Sequence, residues 1–210
     1  MKISYDTETG KVINAYADDI KVSHAYVEIS EAEWNDLSAH KENLYVVDGE
    51  VVNIEGTPRY IAMKAEEVAK ELSEQLYQLK ASVAYGGIKL NNAYIFETNA
   101  TSILMTTTKY LDLVSDQSQT AVSHWKCYDL EGKPAFINFT REQFIAIKNF
   151  ATNMINTDCF GIEDKYTKIL HEATIYNLTD AEWVANFKMQ AIAEMKAVDT
   201  SLDIGELQLG

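Results

Sequence analysis

The sequence predicts an α+β protein made of a small β-rich N-terminal unit, a long connecting helix, and a C-terminal domain of β-hairpins packed with helices. Three observations predict it. Apolar residues alternate with period two, with turn residues between them, up to about Ile54. Apolar spacings of four and three then run unbroken from Ile61 to Leu79. Beyond Gly86-Gly87, hairpin signals and helix-capping signals take turns. With 210 residues, 47% of them hydrophobic, the chain is long enough to bury a core without disulfide staples.

In the first segment, 1–57, Ile3 and Tyr5, the turn Asp6 to Gly10, and Val12, Ala15 and Tyr16 form a hairpin pattern. Tyr26 to Ile29 reads as a further short strand. Ser30 and Glu33 make an S-x-x-E capping box for a short helix through Trp34 and Leu37, ending near His40. Asp48-Gly49 stands between two β-branched runs, the strongest short-range hairpin signal in the chain.

Gly56-Thr57-Pro58 punctuates the chain, and the connecting helix over 58–84 follows. Its apolar face is Ile61, Ala65, Val68, Leu72, Leu76 and Leu79. Such a face either packs on its own domain or forms a seam for self-association, and the helix length also suits a spacer between two domains.

The third segment, 85–175, opens on a hairpin, Ile88 to Leu90 and Ala93 to Thr98, turning at Asn91-Asn92. Asn99 is placed to cap a helix holding Ile103, Leu104 and Leu111. A second hairpin runs from His124 to Phe139 around Glu131 to Pro134, and Thr140 with Gln143 caps a helix through Phe144, Ile147, Phe150 and Ile155. Another helix is expected over 162–175. In the last segment, 176–210, Thr179 and Glu182 are read as the capping box of a helix over 180–197 holding Trp183, Phe187, Ile192 and Met195. The tail beyond it is either loose or docks Leu207 and Leu209 on a partner.

Charge excludes several functions. Acidic residues number 32 and basic ones 18, for a formal net charge of −14, and only Arg59 and Arg141 offer a guanidinium. Such a field repels phosphate backbones, so nucleic acid is not an expected partner. The excess sits mainly at the start: residues 1–57 carry 12 acids and 4 bases, whereas 85–175 carry 10 and 8. No apolar run reaches the ~20 residues of a bilayer crossing, and the opening MKISYDTETG lacks a signal-peptide apolar core. A soluble, non-secreted protein without a membrane partner is the expectation.

Nothing in the sequence gathers groups for bond-breaking. His24, His40, His124 and His171 share no metal-ligand spacing, and Cys127 and Cys159 read as reduced core thiols. Asp18-Asp19 and Glu163-Asp164 read as solvated pairs whose carboxylates point apart, and Gly86-Gly87 lacks the further glycines of a phosphate loop. The triplets at Asn99, Asn138 and Asn177 fit glycosylation sites but read more simply as helix starts. No enzyme activity, cofactor or metal is expected. The aromatic supply is larger, with three tryptophans and twelve tyrosines, and aromatics both fill cores and anchor interfaces. In the second hairpin, period two puts Trp125, Cys127 and Asp129 on one face and His124, Lys126 and Tyr128 on the other, so one face packs and the other is available. Trp125, Tyr128 and Phe136, with Leu207 and Leu209, are the expected partner-binding residues.

Two stretches carry a resemblance. Ile3 to Val12, Tyr26 to Trp34 and Val46 to Val52 resemble the opening of small phage tail-fibre assembly and tail-associated proteins. Gly87 to Asn91, Phe96-Glu97-Thr98, Trp125-Lys126, Ala135 to Thr140, Gln143-Phe144 and His171-Glu172 occur in the order of a phage and prophage domain of uncharacterised activity. Asp129-Leu130-Glu131-Gly132 replaces that domain's tight turn, and Phe139 stands where it has leucine before Thr140. The resemblance spans most of the chain apart from the connecting helix and the last ~35 positions. It implies a non-enzymatic tail protein, present in the host cytoplasm during assembly, that binds a tail fibre as an assembly chaperone or fibre-tip accessory. The alternative it leaves open is a permanent component of the virion tail or baseplate, or a receptor-binding adhesin.

Overall fold

A computed structural model describes residues 1–210 and has the α+β architecture expected. Two compact units, Met1–Glu66 and Glu67–Gly210, stand where the sequence reading drew four segments.

In the first unit, β1 (Lys2–Tyr5) is the central strand of a three-stranded antiparallel sheet. It pairs with β2 (Val12–Tyr16) on one side and β3 (Tyr26–Glu28) on the other. Ser30 caps α1 (Glu31–Leu37) as expected: its hydroxyl accepts from Glu33 N, and the Glu33 carboxylate accepts from Ser30 N at 2.8 Å. The chain then tightens into a 3₁₀ segment before β4 (Leu44–Val47) and β5 (Glu50–Asn53) form the Asp-Gly hairpin. Asp48 and Gly49 both have positive φ, 52° and 86°, the twist a two-residue hairpin loop needs. Ile3, Leu44, Tyr45 and Ile54 are buried, and Arg59 donates to Thr9 O at 3.0 Å while its guanidinium lies over the Tyr45 ring.

One helix, α2 (Pro58–Ala84), runs from the first unit into the second. Of its expected apolar face, Ala65, Leu72 and Leu76 are buried, Val68 and Leu79 are half-buried and Ile61 is exposed.

The second unit is built on a six-stranded sheet. Its central strands are β6 (Ile88–Leu90), β7 (Tyr94–Phe96), β8 (Ala121–Asp129) and β9 (Pro134–Thr140), antiparallel in sequence order. Asn99 caps α3 (Ala100–Ser115), accepting from Ser102 N. The inward face of this helix is Ile103, Thr106 and Leu113, at spacings of three and seven; Leu104 and Leu111, which the helix was expected to hold with Ile103, are exposed. The Thr106 hydroxyl donates to Ser102 O at 2.7 Å, which lets a polar residue occupy a buried position.

The Thr140 and Gln143 capping box forms and opens α4 (Arg141–Asn153). The sequence reading left a gap after Ile155, where Asn156, Thr157 and Asp158 are weak helix formers. The chain does not break there. It widens into a π-helical segment over 154–159 and continues as α5 (Phe160–Glu172), and this keeps Met154, Ile155 and Cys159 all buried. A short helix, α6 (Ile175–Thr179), follows, capped by Thr174 with Asn177, and α7 (Ala181–Lys196) is capped by Asp180. The expected Thr179 and Glu182 box is absent because the Thr179 hydroxyl bonds back to Ile175 O instead. Asn138, read as a helix start, lies within β9.

The tail is ordered rather than loose. β10 (Ser201–Leu202) pairs parallel with β6, and β11 (Gln208–Leu209) pairs antiparallel with β9, giving the order β10-β6-β7-β8-β9-β11. Six Cα steps from Leu202 to Gln208 span at most about 22 Å, whereas a flat sheet would hold its two outer strands roughly 24 Å apart. The sheet is therefore curled, and 203–207 is a strap across its open side. Asn91 and Gln143 hold this strap: Asn91 Oδ1 accepts from Ile204 N at 2.9 Å, and Gln143 Nε2 donates to Ile204 O and Glu206 O, both at 3.0 Å.

Candidate functional site

The two faces of the curled sheet differ in chemistry, and a single backbone feature aligns them. Between Val122 and Trp125 the β8–β9 register shifts by one residue, with His124 at φ 54° and its N–H donating to Asn138 Oδ1 at 2.8 Å. This bulge lets Val122 and Trp125, three positions apart, both point inward, where strict alternation would send them to opposite faces. Ile88, Leu90, Phe96, Cys127, Ile137 and Phe139 complete the inward set, and all are buried against the helices.

Trp125 belongs to this interior. Its ring stacks on Phe96 with centroids 5.8 Å apart and meets Phe144 edge-on at 4.9 Å. It is half-buried and packs the core, so of the three hairpin residues expected to contact a partner it stands apart from Tyr128 and Phe136, on the face opposite Tyr128 that alternation assigned it. Pairing of Lys126 with Phe136, Tyr128 with Ile95, and Ile95 with Lys89 puts those five residues together on the outward face. Phe136 is 47% exposed, Lys89 and Lys126 are exposed, and Ile95 and Tyr128 are half-buried. The Lys126 ammonium lies 4.7 Å from the Tyr128 ring centroid. This face offers ring surface, aliphatic stems and two cations, the means to grip a polypeptide by apolar contact with charge at the edge.

Of the two tail leucines, Leu207 packs against the core of its own unit. Leu209 is 66% exposed in the edge strand β11, beside Ile137 in the register. The five expected contact residues thus divide three ways: Trp125 and Leu207 inward, Tyr128 and Phe136 on the open face, and Leu209 at an edge.

The helices form a concavity as well. Leu72, Leu76 and Leu79 of α2 face Phe187, Ala191 and Ile192 of α7 across an apolar groove of about 380 Å³. Phe187 lines it, stacked on Trp183 and edge-on to Tyr166, and Lys188, which also lines it, pairs with Glu71 at 3.0 Å. Sequence spacing assigned these residues to cores but did not say that two of the helices would stand apart.

No group of three or more His, Cys, Asp or Glu side chains converges as a metal site would require. Cys127 and Cys159 are buried free thiols, and burial pushes the Cys127 thiol up to about 12. Of the Glu163-Asp164 pair, Asp164 is exposed and takes Lys168, whereas Glu163 is 22% exposed and pairs with the buried Lys80. No helix is long and apolar enough to cross a membrane. Compared with known proteins, the chain matches no family model, no curated protein and no solved structure.

Proposed function

We propose that this chain is a non-enzymatic bacteriophage tail protein that binds a tail fibre, as an assembly chaperone or as an accessory at the fibre tip. The observation that carries the reading is the open sheet face, where Tyr128 and Phe136 stand exposed or half-exposed with Ile95 between two lysines. Exposed rings on a rigid sheet are suited to shielding apolar surface of a β-rich client until its own strands have paired. The resemblance of the Gly87 to Glu172 stretch to a phage and prophage domain supplies the context. The work is then done in the host cytoplasm, and an accessory of the fibre tip would remain on the virion tail.

Co-expression with the tail-fibre gene of the same genome tests it. Soluble fibre trimers are expected with this protein present, fewer without it, and similarly few with Phe136→Asp in its place. Equal yields of trimer in all three overturn the chaperone reading. Mass spectrometry of purified particles then separates a fibre-tip accessory, found at fibre stoichiometry, from an assembly factor found only in traces.

A further inference from the structure

The open sheet face runs into a cavity of about 270 Å³, lined by Lys89, Ile95, Lys196 and Thr200 among others. Lys89 and Ile95 belong to both, so cavity and face are one continuous surface. The cavity lining carries two lysines and no aspartate or glutamate. That is unusual in a chain with 32 acidic and 18 basic residues. Elsewhere Lys80, Lys165, Lys168 and Lys188 each sit within 3.0 Å of a carboxylate oxygen. Lys89 and Lys196 are exposed and form no ion pair. Lys126, on the same face, is shared between the Tyr128 ring and the Glu97 charge. α2 and α7 both end near the cavity, but a helix C-terminus attracts an exposed cation only weakly and does not replace a carboxylate.

We infer that the client segment taken by this face is an extended, apolar stretch bearing carboxylates, one of which enters the cavity to meet Lys89 and Lys196 while apolar side chains lie over Ile95, Tyr128 and Phe136. The inference rests on the reading of the open face as the client-binding surface, and it names the client's chemistry. Lys89, Ile95 and Tyr128 stand in register on adjacent strands and Phe136 on the next, so the face measures roughly 14 Å from β6 to β9. About five extended residues cover that length, with the first, third and fifth side chains facing the sheet. The net charge of −14 taken alone would draw basic segments instead. Charges farther than ~8 Å are largely screened at physiological ionic strength, however, so at contact the two unpaired ammoniums set the sign. Rings beside cations also suit single-stranded nucleic acid. A phosphate at every nucleotide would extend past the two lysines into the acidic field, whereas a peptide places its few carboxylates where the lysines are.

Fluorescence anisotropy of the full chain with three labelled peptides at physiological salt tests it. The peptides share valine and phenylalanine on one side and threonine on the other, and differ in carrying glutamate, glutamine or lysine at one sheet-facing position. The glutamate peptide is expected to bind at least about fivefold tighter than either of the others, an order opposite to the one net charge dictates. Lys89→Gln with Lys196→Gln should erase that preference and leave the glutamine peptide's affinity unchanged, and Phe136→Asp should weaken all three. If the double variant does not fold, Lys196→Gln alone, at the exposed end of α7, should at least halve the preference. Absent binding of the glutamate peptide, no preference for it, or a preference indifferent to the lysine changes overturns the inference. So does tighter binding of oligothymidylate, or a dimer that the lysine changes dissolve, which would seat a second copy on the face. Charge-indifferent binding with fibre yields that still depend on Phe136 sinks this inference alone; glutamate preference with fibre yields that ignore the protein sinks the tail-fibre reading alone.

Discussion

Lys80 Nζ lies 2.9 Å from Glu163 Oε2, joining α2 to α5 with the lysine side chain only 6% exposed. The ammonium also sits 4.6 Å from the Tyr77 ring and 4.2 Å from that of Phe160. Removing one partner of a buried pair strands the other charge. Glu163→Ala is therefore expected to cost about 3 kcal/mol in urea unfolding. The double change Lys80→Met with Glu163→Leu removes both charges and should lie within about 1 kcal/mol of wild type.

Thr98 supports a second joint. Its buried hydroxyl accepts from Gly87 N at 3.0 Å and donates to Ala84 O at 2.8 Å, tying the end of α2 to the first hairpin of the sheet. Thr98→Val keeps the shape but leaves both backbone groups unpaired, and a loss of about 1–3 kcal/mol is expected. Thr98→Ser should retain most of the stability in the same unfolding measurement. Gly87→Ala should be disruptive at the same joint, because φ is +94° and an added Cβ would lie 2.6 Å from Ile95 Cγ2 and 3.0 Å from Phe96 O.

The strap depends on two amides. Asn91→Ala removes the acceptor for Ile204 N, and Gln143→Ala removes the donor to Ile204 O and Glu206 O along with half of a capping box. Each is expected to speed amide exchange at Lys89 and Asn91, whose N–H groups donate to Thr200 O and Leu202 O, with little change in α7. Hydrogen-exchange mass spectrometry reads the difference. Unchanged exchange at the β6 edge in both variants would show that β10 holds without the strap.

Alkaline pH should unfold the second unit early. Burial, with the Glu194 hydrogen bond and charge, pushes the Tyr166 phenol from 10 to about 12, and burial with the Glu97 charge pushes Cys127 from 9 to about 12. Both folded values exceed the unfolded ones, so the protonated forms favour the fold. Their contribution is complete below pH 9 and falls between pH 9 and 12, first through the thiol and above pH 10 through the phenol as well, by up to about 1.4 kcal/mol per pH unit per group. Denaturant midpoints across this range should decline. Cys127→Ala should flatten the decline between pH 9 and 10, and neither cysteine should react with a thiol reagent in the native state at pH 8.

What the sequence made legible was local. Asp48-Gly49, Asn91-Asn92 and the capping boxes at Ser30 and Thr140 each specify geometry within four residues, and each forms. What it hid was set by distant parts. The stripe of α3 that meets the core carries Thr106, a residue that reads as surface until its hydroxyl is seen to be satisfied, while Leu104 and Leu111 stand exposed. Period two could not register the bulge at His124, which depends on the Asn138 side chain fourteen residues away. The open face was half legible: alternation separated Tyr128 from Trp125, but only the cross-strand register brings Ile95 and Lys89 beside Tyr128.

The strap also bears on how the chain is made. β6 and β9 leave the ribosome well before β10 and β11, so the nascent sheet must wait with both flanks bare until the strands that cover them emerge. A ribosome paused between α7 and β10 would hold the domain in a sticky, incomplete state, and a slow stretch of codons there would raise inclusion-body formation without altering a single amino acid.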